Sequence, residues 1–364
     1  MNRTFVMSVN RKIRDKRPFF PDDRVVEIFQ EGDLLEISFL SRQCKNDLAG
    51  SCLMCDYGRA KGTLQNEIYL DKMKATLNEY KSGINFLLIC CNGSLLDEYQ
   101  ISTELLKEVF VIAEACSIPN IIIETHYKDV SVNKLDLIKQ EIKKPVIIEM
   151  GLETINQQYQ NDILMKNIDI DKYEQIIELI KSYGYDIELN LLLGLPFLST
   201  AEQLTYAIES VRWAFDHQCT PIVFPINIKP YTMLRYAYDN GLYQPISLWL
   251  LIVLLDSLNP VELENILISW YGSRDDSYPN DTPNIIPCSC NKCKDMLNNF
   301  GRAFLDTKQS SERKDLIKKL INTSTCNCYQ KVITDINQSR DLYNETYGLF
   351  YQLLSSDFGD LEEK

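Results

Sequence analysis

The sequence predicts an α/β fold: a partial (β/α)6 barrel followed by a cysteine-rich, mostly helical C-terminal module. Three observations point there. Six apolar strand-like runs alternate with five amphipathic helical runs, polar and sulfur-bearing residues cluster just after the strand runs, and the composition changes near Gly272. Alternation with short connections favours a wound parallel sheet.

The strands read as Leu34–Leu40, Asn85–Cys90, Asn120–Glu124, Pro145–Glu149, Asp186–Leu193 and Pro221–Ile226. Runs such as Leu189–Leu193 are continuously apolar, as strands covered on both faces are. Between them helical patterns fall at about Leu64–Lys81, Ser102–Cys116, Val132–Ile142, Asp169–Tyr183 and Thr200–His217. After Ile226 the pattern turns helical, at Tyr231–Asn240 and Ser247–Leu258, so the two further βα units of a closed eight-fold barrel are missing. From Gly272 a run of Ser, Asp, Asn and Pro supplies turn residues without apolar period. Helical runs around Ser311–Ile321 and Asp335–Leu354 follow. The predicted organisation is an N-terminal extension over 1–30, the barrel over 31–230, a helical extension over 231–271 and the cysteine-rich module over 272–364.

With 364 residues, 45% hydrophobic and 24% charged, the chain is neither disordered nor fibrous. Its longest apolar runs fall well short of the ~20 residues of a spanning helix, so no membrane partner is expected. The basic start, Met1 to Arg17, lacks the apolar core of a signal peptide, and a cytoplasmic protein is expected. A net charge of −13 argues against a broad phosphate-neutralising surface.

Twelve cysteines in such a chain point to metal or redox chemistry rather than a disulfide framework. Cys44-x7-Cys52-x2-Cys55 lies in the loop after the first strand. Three thiolates there can hold three irons of a four-iron cluster and leave the fourth open, whereas electron-transfer clusters usually have four cysteine ligands. The alternatives are a zinc knuckle or packed free thiols. Structural zinc takes four ligands, and the two histidines, His126 and His217, offer no local fourth. Cys288, Cys290, Cys293, Cys326 and Cys328 form a second set, read as a tetrahedral zinc site from Cys290, Cys293, Cys326 and Cys328, with Cys288 spare and a second iron-sulfur cluster as the rival. Cys90, Cys91, Cys116 and Cys219 read as packed thiols, His217 as a surface or capping group, and Phe224 and Tyr231 as core.

The three-cysteine loop after strand one resembles that of the radical S-adenosylmethionine enzymes, whose commonest spacing is C-x3-C-x2-C. The long first gap, Asn-Gly-Ser-Leu-Leu-Asp at 92–97, Met-Gly-Leu-Glu at 150–153, Leu-Gly-Leu-Pro-Phe-Leu at 193–198 and the tail pairs Cys290/Cys293 and Cys326/Cys328 together resemble the archaeosine synthase radical subunit and its bacterial relatives. More distant similarity runs to the elongator catalytic subunit, and the resemblance spans about residues 35–330. It implies a 4Fe-4S cluster on Cys44, Cys52 and Cys55 whose open iron binds S-adenosylmethionine, cleavage to a 5′-deoxyadenosyl radical, and an electron donor such as flavodoxin or ferredoxin. It implies cofactor contacts from Asn92, Gly93, Ser94, Glu124, Glu149, Gly151 and Glu153, all placed at or just after strand ends. Where the related pattern carries an arginine two residues after the third-strand glutamate, His126 stands here, and Arg59 could compensate. The implied substrate is a deazaguanine-type tRNA base, with a small molecule or peptide as the alternative. From a different class, a non-catalytic zinc-stabilised interaction protein fits the cysteines alone.

Overall fold

The computed structural model describes residues 2–19, 25–59, 66–80, 82–269, 283–287, 289–338 and 343–361. The chain opens with helix α1 (Arg3–Arg14), whose first turn is closed by the Asn2 side chain accepting from the Phe5 amide at 3.2 Å. Strand β1 (Val26–Glu31) turns through Gly32, at φ +57°, into β2 (Leu34–Phe39) as an antiparallel hairpin. There follow α2 (Lys45–Leu48), α3 (Asn66–Glu79), β3 (Phe86–Cys91), α4 (Thr103–Ala115), β4 (Asn120–Thr125), α5 (Val132–Glu141) and β5 (Val146–Glu153). The short α6 (Gln157–Tyr159) runs into a π-helical turn over Gln160–Leu164, then come α7 (Ile170–Ser182), β6 (Asp186–Leu193), α8 (Thr200–Asp216) and β7 (Thr220–Pro225). The rest is α9 (Met233–Asp239), α10 (Trp249–Ser257), α11 (Pro260–Asn265), β8 (Leu267–Ile268), α12 (Lys294–Asp306), α13 (Ser310–Thr323), α14 (Cys328–Asn337) and α15 (Tyr343–Phe358).

One sheet carries all eight strands in chain order, parallel from β2 to β8. The six predicted strands are its β2 to β7. Two further strands extend them: β1, at the end of the predicted 1–30 extension, and the two-residue β8, inside the predicted 231–271 extension. Neither has the length of apolar run that marks a strand buried on both faces. The predicted run Asp335–Leu354 is two helices, α14 ending at Asn337 and α15 starting at Tyr343. The expected boundary at Gly272 lies outside the described residues. α11 announces itself in the sequence through Asn259-Pro260, a capping box in which Asn259 and Glu262 bond each other's backbone amides.

Strand alternation sorts the two faces of the sheet. Leu35, Ile37, Leu87, Ile89, Ile121, Ile123, Ile148, Leu189 and Leu191 are buried in a core shared with α3, α4, α5, α7 and α8. The opposite face looks into the curve of the sheet and carries Glu36, Cys90, Glu124, Glu149, Glu188 and Asn190. A second core joins α1, Leu53 of the cysteine loop, the π-helical turn, α9 and α15 over the carboxyl end of the barrel.

The tail is tied to the barrel by one buried cation. Arg313 on α13, 1% exposed, donates to the carbonyls of Leu263 at 2.7 Å, Ile266 at 3.0 Å and Thr307 at 2.7 Å, and its guanidinium lies over the Phe304 ring. Arg313→Leu strands those carbonyls, so a loss of about 3 kcal/mol in unfolding free energy is expected. Denaturant titration checks it, and an unchanged midpoint would remove Arg313 from this role.

Candidate metal and cofactor site

The loop after β2 brings Cys44, Cys52 and Cys55 together with three cations. Arg14 reaches across from α1 and donates to the carbonyls of Asp47 at 2.8 Å, Cys52 at 2.5 Å and Cys55 at 3.0 Å. Arg14 and Arg17 both pair with the buried Asp47 carboxylate, at 3.2 and 2.6 Å. Gly50, at φ +81°, lets the loop meet α1: a Cβ there would collide with the Met7 carbonyl oxygen. On the far side the Leu53 amide donates to Leu164 of the π-helical turn at 3.3 Å, and the Leu234 amide donates to Leu53 at 3.1 Å. The loop is thus held from α1, α9 and the π-helical turn at once.

Burial dominates the thiols: it pushes Cys52 up to about 11, against the pull of Lys166, and raises Cys44 and Cys55 as well, the latter against Lys229. As free thiols these groups are neutral at pH 7. A coordinated metal deprotonates a thiol outright, and Arg14, Lys166 and Lys229 then meet the resulting negative charge. Lys229 is paired with Asp56 at 2.9 Å.

Lys166 is the residue that the motif reading missed. Its ammonium pairs with Glu153 and approaches Gly151, where an added Cβ would lie 3.3 Å from Nζ. Although burial opposes its charge, Glu153 and then Cys52 hold its proton. The backbone around the pair is unusual. Glu153 has φ +67°, Met165 +55° and Asn167 +58°, and the β5–β6 register shifts between Gly151 and Glu153. The signal in the sequence is faint: a lone lysine in an apolar turn, Ile163-Leu164-Met165-Lys166.

The other predicted residues fall around this mouth. Gly93 stands beside Cys44, with an added Cβ 3.5 Å from the Cys44 Cβ. The Ser94 hydroxyl bonds Thr125 Oγ1 at 2.8 Å and accepts from the His126 amide at 3.0 Å, so it ties the β3 loop to the end of β4. Asn92 is 5% exposed and both its side-chain amide atoms lack a partner among the described residues. His126 Nδ1 accepts from the Lys128 amide at 3.2 Å, which assigns the ring hydrogen to Nε2, a buried atom without a partner. Burial, then Lys166 and Lys128, push its pKa down to about 3, so the ring is neutral. Arg59, which could compensate for the missing arginine, donates to the Pro18 carbonyl at 3.1 Å.

Glu124 and Glu149 stand deeper, side by side in register on β4 and β5, and Glu149 is in register with Glu188 on β6. Asn190 Nδ2 donates to Glu149 at 2.7 Å.

In the tail, Cys290, Cys293, Cys326 and Cys328 bring their sulfurs within 4.8 Å of one another, with Cys290 and Cys293 at 3.5 Å. Tetrahedral zinc with Zn–S of ~2.3 Å needs sulfurs about 3.8 Å apart, so this quartet has the spacing of a single ion. A four-iron cube holds its thiolates wider apart. Cys288 lies outside the described residues. Cys90, Cys91 and Cys219 are buried as packed thiols, and His217 caps α8.

No family model matches the chain. It is 26% identical over 306 residues to an uncharacterized protein of Methanocaldococcus jannaschii, covering 80% of this chain and 82% of the relative. Archaeosine synthase subunit beta of Thermococcus kodakarensis is 23% identical over 205 residues, covering 55% of this chain. The match spans 63% of that relative, just under two thirds of its length. Solved radical S-adenosylmethionine enzymes are among the structural matches. One further match is the queuine lyase from Clostridium spiroforme bound to S-adenosylmethionine and queuine, at 22% identity and a TM-score of 0.40, covering 55% of this chain and 79% of that one.

Glu188 gives the site a pH signature. Burial, then Glu149 and Asp186, raise its pKa from 4.5 to about 8. Between those values the folded state holds a proton that the unfolded chain has released, so stability falls as pH rises through that window. Thermal melts from pH 5 to 8 should show a decline that Glu188→Gln reduces. Equal slopes in the two proteins would contradict the shift.

Proposed function

We propose that this chain is a radical S-adenosylmethionine enzyme, with Cys44, Cys52 and Cys55 as ligands to three irons of a 4Fe-4S cluster. The observation that carries the reading is the cysteine loop itself: three thiols, ringed by Arg14, Lys166 and Lys229, at the carboxyl mouth of a parallel sheet. With S-adenosylmethionine bound, such a cluster supplies one electron and a 5′-deoxyadenosyl radical.

The chain's own residues bind and orient. Lys166 and the His126 Nε2–H offer donors for the cofactor carboxylate. Asn92 presents two unpartnered amide atoms, and Gly93 and Gly151 let backbone approach closely. Glu153 fixes Lys166, while Glu124 and Glu149 would serve the amino or ribose groups. The second core over α1, α9 and α15 shields the mouth from water.

For the substrate, similarity to an archaeosine synthase subunit supports a deazaguanine-type base in tRNA. A net charge of −13 favours the second reading, a free small molecule. A ferredoxin or flavodoxin would deliver the electron, in a cytoplasm that keeps thiols reduced. No helix among the described residues is long and apolar enough to cross a membrane. The tail quartet is assigned to one structural zinc.

Anaerobically reconstituted and reduced protein should contain about four irons at the first site and convert S-adenosylmethionine to 5′-deoxyadenosine without substrate. Replacing Cys44, Cys52 and Cys55 together by alanine should abolish both. A colourless, inactive wild type holding only zinc would favour the non-catalytic scaffold.

The Cys326→Ala/Cys328→Ala variant should lose zinc, loosen the tail and retain the first site's iron, read by metal analysis and limited proteolysis. Loss of iron from the quartet instead of zinc would reassign it to a second cluster.

A further inference from the structure

We infer that Trp249, the first residue of α10, holds the tail metal from outside the tail: its indole N–H is aimed at the Cys293 sulfur and bonds it once a coordinated ion makes that sulfur a thiolate. This role rests on the single-ion reading of the quartet and adds to it a positioning residue from the helical segment before the tail. Trp249 is 0% exposed, and its Nε1 closes no hydrogen bond among the described residues. Buried indole N–H groups usually find a partner, because an unpaired one carries the full desolvation penalty of a donor.

The surroundings of the ring put that donor at the quartet. Trp249 meets Tyr329, the residue after Cys328, with ring centroids 5.5 Å apart and planes at 64°. The polar group on which its N–H bears is the Cys293 thiol: burial and then Cys290 push that thiol up to about 11, and Trp249 is the largest influence pulling it back. Cys293 is itself fully buried, so water supplies it no donor. Two of the other sulfurs have donors of their own. Cys290 faces the backbone amides of Lys292 and Cys293, while Cys326 faces the Cys328 amide and lies 3.5 Å from the Ser324 hydroxyl. A neutral thiol or a disulfide sulfur accepts weakly, whereas a metal-bound thiolate carries charge and accepts strongly. Donors converging on these sulfurs therefore suit coordinated thiolates, and the unpaired indole N–H finds its partner when the ion binds.

Position gives the bond its use. α10 packs against α8 of the barrel and against α13 and α14 of the tail. A Trp249–Cys293 bond ties the ion to that helix, so the metal fastens the tail to the barrel as well as to itself. It works alongside Arg313, which makes its own tie without metal. Hydrogen-bond partners of this kind, one step out from the metal ligands, typically carry roughly ten- to a hundredfold in metal affinity.

Zinc titration of the anaerobically reconstituted full chain, freed of tail metal with a chelator, tests the role. Affinity is read by competition with a chromogenic chelator, and the donor by NMR of the indole N–H groups. The chain has 3 tryptophans, so the resonance missing from Trp249→Phe is assigned without ambiguity. On zinc binding that N–H should move downfield and exchange more slowly with solvent, and in the Cys326→Ala/Cys328→Ala variant it should do neither. Replacing the Trp249 indole by benzothiophene keeps the ring's shape and removes the N–H. That replacement and Trp249→Phe should each weaken zinc binding at least about tenfold. A benzothiophene variant that binds zinc as tightly as the wild type, or an indole N–H that zinc leaves unmoved, would overturn the inference. A wild type that binds zinc through the four thiolates with the Trp249 resonance unmoved rejects the role of Trp249 alone, and one that takes up no zinc at the quartet rejects the single-ion reading together with it.

Discussion

Parallel pairing from β2 to β7 is the constraint on which the rest depends. Each strand lies beside its sequence neighbour, so every βα loop leaves the sheet at the same edge. The cysteine loop after β2, the Asn92–Ser94 turn after β3, His126 after β4 and Glu153 at the end of β5 have no choice but to meet. A slip of one residue in any strand would send its polar residues to the helix-covered face and its apolar ones into the curve. The buried apolar row of Ile37, Ile89, Ile123, Ile148 and Ile187 therefore fixes the placement of Glu124, Glu149 and Glu188 on the other side.

What the sheet does not do, α1 and the π-helical turn do. A loop of three buried thiols has little apolar reason to hold its shape. Arg14 supplies one by taking three of its carbonyls, and Asp47 answers with a carboxylate against Arg14 and Arg17. Lys166 is brought in by backbone in the left-handed region on both sides of it, a conformation that non-glycine residues hold only where surrounding packing insists. Met165 and Leu164 are fully buried in the second core, which is that packing. The same cations serve either as partners for carbonyls and carboxylates or as counter-charges for coordinated thiolates, and the fold supplies both environments at one place.

Much of this was legible in the sequence, for stated physical reasons. Runs such as Ile121–Ile123 and Leu189–Leu193 read as strands covered on both faces, and serines at 102, 131 and 199 cap the helices that follow. The spacing of Cys290/Cys293 and Cys326/Cys328 led directly to four sulfurs at single-ion distance. Less legible were features set by tertiary contact. β1 and β8 are strands because an edge of the sheet is there to receive them. Arg14 and Lys166 are ordinary basic residues until folding brings them 38 and 114 positions along the chain to Cys52. His126 reads from its motif as a departure, and only its hydrogen bond to the Lys128 amide shows that Nε2 carries the free donor.

The central claim is that the Cys44 loop holds a cluster with one iron open to a small-molecule ligand. Electron paramagnetic resonance of the reduced, reconstituted full chain addresses it directly, recorded with and without S-adenosylmethionine. The account predicts a cluster signal whose g-values move when the cofactor is added, because the ligand set of the open iron changes. A signal that S-adenosylmethionine leaves unmoved, or no cluster signal from protein whose iron content is full, would contradict it.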